Sequence, residues 1–319
     1  MKNKKQQECC QEKFKTSIGG QALIEGIMMR GPKKQSIVVR GKEGIVSKVE
    51  DLKLVKDKHP ICGWPLIRGI VNFGSSMVNG VKALMYSAEF YPDEEDAGPS
   101  KMEQWFEKKF GSAALEKAVV YFSVILGIAF SVFLFIFLPN IISGLFNGLI
   151  KSYFIRNLIE GVLRIVIFLS YLILVSQMKD MKRVFAYHGA EHKTIRCYEA
   201  KLDLTVENVR TQTRMHPRCG TSFMFLIVII SILFFAIIRI DNVFLRLAAR
   251  LLLLPAVVSV SYEITRFVGR HDNWFTRILT APGLWMQNFT TQEPDDSMIE
   301  VAIEAVKLVL PEEEGQDQW

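Results

Sequence analysis

Four long runs of apolar residues, separated by stretches rich in lysine and arginine, constrain this chain more than any other feature. Each run is close to the roughly 20 residues that an α-helix needs to cross a bilayer. The runs lie at residues 118–138, 158–176, 221–238 and 244–262. Hydrophobic residues make up 50% of the chain and charged residues 23%. Both fractions can be this high in one protein because the apolar residues are grouped into runs. The sequence therefore predicts a polytopic α-helical membrane protein with about four transmembrane helices.

Basic residues are distributed unequally between the two sides of these runs. The loop 177–220 carries nine lysines and arginines, whereas the first outer loop offers only Lys151 and Arg156. Basic loops stay in the cytosol, and the start of the chain lacks the apolar stretch of a secretory signal. We therefore expect a multi-pass protein of the cytoplasmic membrane with loop 177–220 and both termini in the cytosol.

The segments outside the spans have their own patterns. β-Branched runs at 35–40 and 44–49 predict two or three short strands. Apolar periodicity predicts interfacial helices at 66–90 and 273–289, and we expect Pro139 to end the first span. The resulting division is a flexible N-terminal tail at 1–16, a small cytosolic β-element at 17–60, an amphipathic helix and acidic linker at 61–117, the four-helix transmembrane region at 118–262, and a cytosolic interfacial segment and C-terminal helix at 263–319.

One short cluster in loop 177–220 could carry chemistry. If the segment is helical, His188, Glu191 and His192 stand at i, i+3 and i+4, so that two imidazoles and a carboxylate share one face. That set suits a divalent metal, and the order H-x-x-E-H is also that of the inverzincin proteases, in which the glutamate activates water. The alternative is a solvated helix face, which Gly189 favours because glycine costs up to about 1 kcal/mol in a helix interior.

A second cluster, His216 and Cys219, stands just before the third run. It adds an imidazole and a thiol to the same loop, and both are good ligands of zinc. A site for a divalent metal such as zinc could therefore use His188, His192 and either His216 or Cys219, with Glu191 as general base. The alternative is a turn that caps the third span, with Cys219 as a small buried residue.

Two glutamates could contribute further oxygen ligands. Glu25 lies in a glycine-punctuated apolar run and, if buried, needs a cation or a metal beside it. Glu263 follows the fourth span and could instead pair with Arg266.

Three arginines fall inside the predicted spans. Arg164, Arg246 and Arg250 invite a functional interpretation because intramembrane charges are costly. Alternatively, they reach the outer interface or pair with Glu160 and Asp241. The formal net charge of +6 reflects the basic loops, and no nucleic-acid-binding motif occurs, so we expect the lipid bilayer and not a specific nucleic acid as the partner of these charges.

Several motifs together resemble one bacterial membrane protein family, domain of unknown function 1385, the YqhQ-like proteins. The matching stretches are Gly20-Gln21-Ala22-Leu23-Ile24-Glu25-Gly26-Ile27-Met28-Met29-Arg30-Gly31-Pro32, the segment 187–194, the segment 216–222, the segment 281–284 and the segment 290–296. Members of that family are described as predicted metal-dependent enzymes. The resemblance implies a bacterial cytoplasmic membrane protein and, for its chemistry, a metal site.

Two functions remain open at this point. The first is a metal-dependent hydrolase with its site facing the cytosol, in which Glu191 activates water. The second is a non-enzymatic membrane scaffold that binds another membrane machine, such as the protein-export channel or its docked ribosome, or a second copy of itself. The basic cytosolic surface and the small β-element motivate this alternative.

Overall fold

The computed structural model describes residues 14–53, 55–90, 112–145, 152–240, 242–313 and 315–318. The predicted N-terminal tail up to residue 13, the acidic linker and Asp241 lie outside these ranges. The chain divides into two units, one of residues 1–91, 172–227 and 255–319 and one of residues 92–171 and 228–254.

Helices dominate the described chain and a small sheet precedes them. The strands are β1 (Gly19–Leu23), β2 (Gly26–Arg30), β3 (Lys34–Gly41) and β4 (Gly44–Asp51). The helices are α1 (Val55–Lys58), α2 (Ile67–Ala88), α3 (Ser112–Val132), α4 (Leu138–Gly144), α5 (Tyr153–Gln177), α6 (Lys179–Glu199), α7 (Val206–Arg210), α8 (Gly220–Ala236), α9 (Val243–Arg270), α10 (Trp274–Thr290) and α11 (Asp296–Lys307), with a 3₁₀ turn at Pro60–Gly63 and a π turn at Phe133–Phe137.

The sheet of the first unit is antiparallel, with strand order β1-β2-β3-β4. The sheet has four strands where two or three were predicted, because the glycine-punctuated run around Glu25 forms a hairpin of its own. Glu25 has a φ of 48° in the turn of this hairpin. A Cβ at Gly26 would lie 2.5 Å from the carbonyl oxygen of Val38, so glycine allows β2 and β3 to pair closely there.

The core of the first unit lies where the sheet meets α6 and α11. Asp295 caps α11, its side chain accepting a hydrogen bond from the Met298 backbone N–H at 2.9 Å. The helix is much more buried than a surface helix, since Ile299, Val301 and Val306 are fully covered. The sheet, α6 and α11, which the sequence assigned to three separate segments, share one hydrophobic cluster.

Gly189 marks a close contact within this unit, and it provides a test of the packing. A Cβ there would lie 2.0 Å from the carbonyl oxygen of Gln292, which is backbone and cannot rotate away. We expect Gly189→Ala to destabilise the protein by about 1–3 kcal/mol. The clash outweighs helix propensity, which favours alanine over glycine by about 1 kcal/mol. Thermal unfolding in detergent measures the change. The control is Gly74→Ala in α2, where a Cβ meets nothing within 4 Å; equal stability of the two variants would contradict the packing argument.

Three helical segments are long and apolar enough to cross a membrane. They are Tyr121–Gly144, Phe154–Gln177 and Phe244–Arg270. The third predicted span, 221–238, corresponds to α8, an apolar helix of 17 residues that falls short of the same length, so a fourth crossing is not confirmed. The structure therefore supports three potential spans, and the fourth stays a prediction.

The prediction that Pro139 ends the first span was wrong, because the helix continues through a π turn to Gly144. Proline has no N–H to donate to the carbonyl four residues before it, which is that of Phe135. The Arg164 Nε donates to this carbonyl oxygen instead, at 2.9 Å. The side chain of a second helix thus replaces the hydrogen bond that Pro139 removes.

Two arginines in the second unit share one carboxylate. Glu160 accepts from Arg164 Nη2 at 3.0 Å and from Arg250 Nη2 at 2.8 Å. The predicted pairing with Glu160 is therefore confirmed for both arginines, and their exposed fractions are only 4% and 1%. Arg246 instead donates to the Asn140 Oδ1 at 2.8 Å.

Candidate metal centre

Helix α6 provides the main part of the candidate site. Loop 177–220 contains this 21-residue helix, so His188, Glu191 and His192 do stand on successive turns, as the spacing required. Glu191 and His192 are buried, and the ring centroids of the two histidines are 4.3 Å apart. The prediction of a solvated face is therefore wrong.

Cys219 joins the two histidines from the turn that precedes α8. Its Sγ lies 3.1 Å from the His188 Nε2. One ligand atom from each of His188, His192 and Cys219 lies within 4.8 Å of the others, and these three residues form the metal-ligand group found in the described chain. Two imidazoles and a thiol, contributed by two separate parts of the chain, thus converge on one point.

Both histidines are oriented by backbone carbonyl groups. The His188 Nδ1 lies 2.8 Å from the Thr290 oxygen, and the His192 Nδ1 lies 2.6 Å from the Arg214 oxygen. A carbonyl oxygen can only accept, so each Nδ1 carries the proton and each Nε2 keeps a lone pair when the ring is neutral. Metal-binding histidines in proteins are commonly fixed by such a contact on the opposite ring nitrogen.

His188 and Cys219 also perturb each other electrostatically. Burial alone would lower the pKa of the His188 imidazole, but the Cys219 thiolate outweighs it and raises the pKa to about 9. Burial would raise the pKa of the Cys219 thiol, yet His188 and His192 hold it well below its usual range. Without a metal, the pair is therefore an imidazolium and a thiolate, and the thiolate is the form that binds metals.

Glu191 lies beside this group, and only one of its two carboxylate oxygens has a hydrogen-bond partner among the described residues. Its Oε1 accepts a hydrogen bond from the Gly20 N–H of β1 at 2.9 Å. Its Oε2 is buried and has no hydrogen-bond partner among the described residues. Burial raises the pKa of the carboxyl group, although His188 and His192 oppose the shift. A buried carboxylate oxygen with no donor needs a cation or a proton, and either one fits a metal site.

His216 is buried next to the group but faces another partner. Its ring centroid is 5.5 Å from that of His192, and its Nε2 lies 3.5 Å from a Glu199 oxygen. Burial, outweighing Glu199, lowers the pKa of His216 to about 4, so the ring is neutral at physiological pH. Gln287 holds the His216 backbone by donating to its oxygen and accepting from its N–H. Of the two predicted third ligands, the structure brings Cys219 and not His216 into the group.

The two further glutamates lie in ion pairs away from the group. Glu25 accepts from both the Nε and the Nη2 of Arg183, at 2.5 and 2.6 Å. Glu263 accepts from the Arg68 Nε at 2.7 Å, so its hydrogen-bonded ion pair is with Arg68 rather than the expected Arg266. Neither carboxylate belongs to the metal-ligand group.

Residue types alone do not reveal the groups that orient the site. The carbonyls of Thr290 and Arg214 and the N–H of Gly20 are backbone atoms, which no residue type reveals. Only the glycine offers a signal, because a Cβ at Gly20 would lie 3.2 Å from the Glu191 carboxyl carbon and 2.5 Å from the Met28 oxygen. A glycine is therefore needed for this close approach of strand and carboxylate.

The donor set fits zinc or a similar ion. In a tetrahedral zinc site, ligand distances of about 2.0–2.3 Å place the donors roughly 3.3–3.8 Å apart. The three ligand atoms are within 4.8 Å of one another, so small side-chain movements would bring them to this spacing. A fourth position remains for water or for the unpartnered Glu191 oxygen.

Fold and site together define a class: a helical protein with potential membrane spans and a sheet-containing unit that carries a buried cluster of two histidines and a cysteine. The chain belongs to the family "Protein of unknown function (DUF1385)", whose model matches residues 64–312. It is 34% identical over 307 residues to "Uncharacterized protein YqhQ" of Bacillus subtilis (strain 168), and the match covers 93% of each chain. No solved structure matches significantly.

Proposed function

We propose that this protein is a membrane-anchored, metal-dependent hydrolase whose metal is held by His188, His192 and Cys219. One observation carries the proposal: three strong zinc ligands converge, two of them with their Nδ1 already bonded to backbone oxygens. The chain's resemblance to a family whose members are described as predicted metal-dependent enzymes agrees with it.

Glu191 is the proposed general base. A divalent ion at the group would polarise the substrate and lower the pKa of water. The Glu191 Oε2, which has no donor among the described residues, can then take the proton of the attacking water, while Gly20 holds the other oxygen in place. A carboxylate whose pKa is raised by burial suits this role, because it holds a proton more readily than an exposed carboxylate does.

The membrane arrangement completes the proposal. If α8 also crosses the membrane, the chain has four spans. Because four is an even number, both termini are then on the same side. The basic residues between α5 and α8 support the cytosol of a bacterium as that side, and as the side of the proposed metal site. Substrates would thus be hydrolysed at the inner surface of the cytoplasmic membrane.

Metal analysis of the purified protein tests the site. We expect about one equivalent of zinc or a similar metal in the wild type and less than a tenth of it in a His188→Ala, His192→Ala double variant, because two of the three ligands are lost. The matched control is His59→Ala with His271→Ala, which removes two exposed histidines outside the group. Equal metal content in the two double variants contradicts the proposal.

The Glu191→Gln variant separates catalysis from simple metal binding. If Glu191 is the general base, the Glu191→Gln variant keeps the metal content of the wild type but no longer cleaves the substrate. The two probes are a fluorescent casein, for peptide bonds, and a fluorescent phospholipid, for lipid ester bonds. Loss of the metal from Glu191→Gln would instead make the glutamate a fourth ligand. The site would then be closed and structural.

A scaffold is the second candidate, and the edge of the sheet favours it. Among the described residues, strand β4 pairs with β3 alone, and its Ile45 and Val49 are 41% and 44% exposed. An uncovered edge with apolar side chains is a place where another strand can add. The partner would be another membrane machine, such as the protein-export channel or its docked ribosome, or a second copy of the chain. A stoichiometric partner that co-purifies in mild detergent with both the wild type and the His188→Ala, His192→Ala variant would favour this function.

A further inference from the structure

Helix α10 has an apolar face that the fold leaves uncovered. Trp274, Ile278 and Trp285 stand at i, i+4 and i+11, so they lie on one side of the helix. Their side chains are 74%, 59% and 52% exposed. The buried residues of α10 lie on the opposite side, where the Thr290 oxygen orients His188. The helix is therefore unlike an ordinary surface helix, whose outer face is polar or charged.

Helix α2 has the same arrangement. Ile70, Met77 and Leu84 stand at i, i+7 and i+14, which places them on one side of the helix. Their side chains are 44%, 55% and 41% exposed. The buried residues of α2, among them Gly80 and Ala83, lie on the other side. The first unit thus carries two helices that each pack on the protein with one face and leave an apolar face open.

Both helices contact the first turn of the apolar helix α8. The rings of Phe73 in α2 and Phe223 in α8 have their centroids 5.9 Å apart. Gly283 of α10 lies against the neighbouring residue, because a Cβ there would be 2.5 Å from the Ser222 Oγ. Helix α2 also packs against the C-terminal part of α9, one of the potential spans. The two uncovered faces therefore lie beside the ends of apolar helices, and lipid headgroups are found at that level.

We propose that α2 and α10 form a lipid-contact surface that lies in the headgroup layer of the bilayer, with their uncovered apolar faces toward the acyl chains. Trp274 and Trp285 suit this layer, because the indole ring is apolar while its N–H needs a polar partner. Since the opposite side of α10 orients His188, the metal-ligand group lies next to the membrane surface. The lipid-contact surface does not depend on the proposed hydrolase activity.

Photo-cross-linking of the full-length protein in vesicles of phosphatidylcholine and phosphatidylglycerol tests this surface. The photoreactive amino acid benzoylphenylalanine replaces Ile278 of α10 in one variant and Met77 of α2 in another. Lys307 and Glu207 are replaced in the matched controls, because they are exposed residues of helices outside the lipid-contact surface. We expect lipid adducts, counted by mass spectrometry, to be about fivefold or more abundant at the two apolar positions, since these face the acyl chains.

The possible results distinguish lipid from a protein partner. Lipid adducts at Ile278 and Met77 in clear excess over the controls support the proposal. Cross-links from these two positions to another protein chain in place of lipid overturn it, because a second copy or a different protein then covers the faces. Equal adducts at all four positions, or adducts at none, overturn it as well. If a variant does not fold, Trp285 replaces Ile278 and Leu84 replaces Met77; these residues lie on the same two faces, so the same results are expected.

Discussion

The zinc affinity of the protein is expected to rise about tenfold for each pH unit between about pH 6 and pH 9 and to level off above that range. In the metal-free protein His188 is protonated up to a pKa of about 9, because the Cys219 thiolate beside it stabilises the imidazolium. Zinc requires the neutral imidazole, so each binding event releases at least this proton. At higher pH fewer protein molecules carry this proton, so zinc binds more tightly, by roughly a thousandfold over the three pH units.

The Cys219→Ser variant is the control for this pH dependence. Without the thiolate, burial keeps the His188 imidazole neutral at lower pH, so the affinity should level off by about pH 7. The variant also loses a ligand, and its maximum affinity should fall by more than the roughly 10–100-fold that changes outside the ligand shell cost. Competition with a zinc chelator at a series of pH values measures both effects. A pH profile shared by wild type and variant would contradict the thiolate–imidazolium pair.

Replacing Glu160 by glutamine is expected to destabilise the protein by about 3–5 kcal/mol. The carboxylate is the shared partner of Arg164 and Arg250, and its removal leaves two buried guanidinium groups facing each other. A neutral amide cannot offset either charge. Reversible unfolding in mixed micelles measures the loss of stability.

The matched control for this prediction is Glu300→Gln. Glu300 is 53% exposed in its ion pair with Arg40, so solvent screens that pair and the loss should stay below about 1 kcal/mol. A change of similar size in both variants would mean that Glu160 does not compensate the buried arginines.

Local patterns predicted much of the fold. The length and composition of the apolar runs located three helices long enough to span a membrane, and the spacing of His188, Glu191 and His192 required the helix that α6 provides. These features depend on residues that are close together in the sequence, and the periodicity of apolar and polar residues reveals them.

Long-range pairing was much harder to predict. Glu263 pairs with Arg68, 195 residues away, although Arg266 stands one turn along the same helix. Likewise, both His216 and Cys219 could have been the third ligand, and the choice depends on Glu199 and Gln287, which hold His216 elsewhere. Charge and residue type identify candidates for such contacts, but only the packed chain selects among them.

The hydrogen bond that a backbone oxygen of Thr290 makes with His188 has a consequence for biosynthesis. The ring that must present a nitrogen to the ion is held by a residue that leaves the ribosome about a hundred positions later. Cys219 is also synthesised well after the two histidines. A nascent chain that already contains most of its potential membrane helices thus still lacks the preorganised histidine pair. If the proposed metal binds, we therefore expect its loading to be a late maturation step, which would distinguish finished molecules from truncated ones.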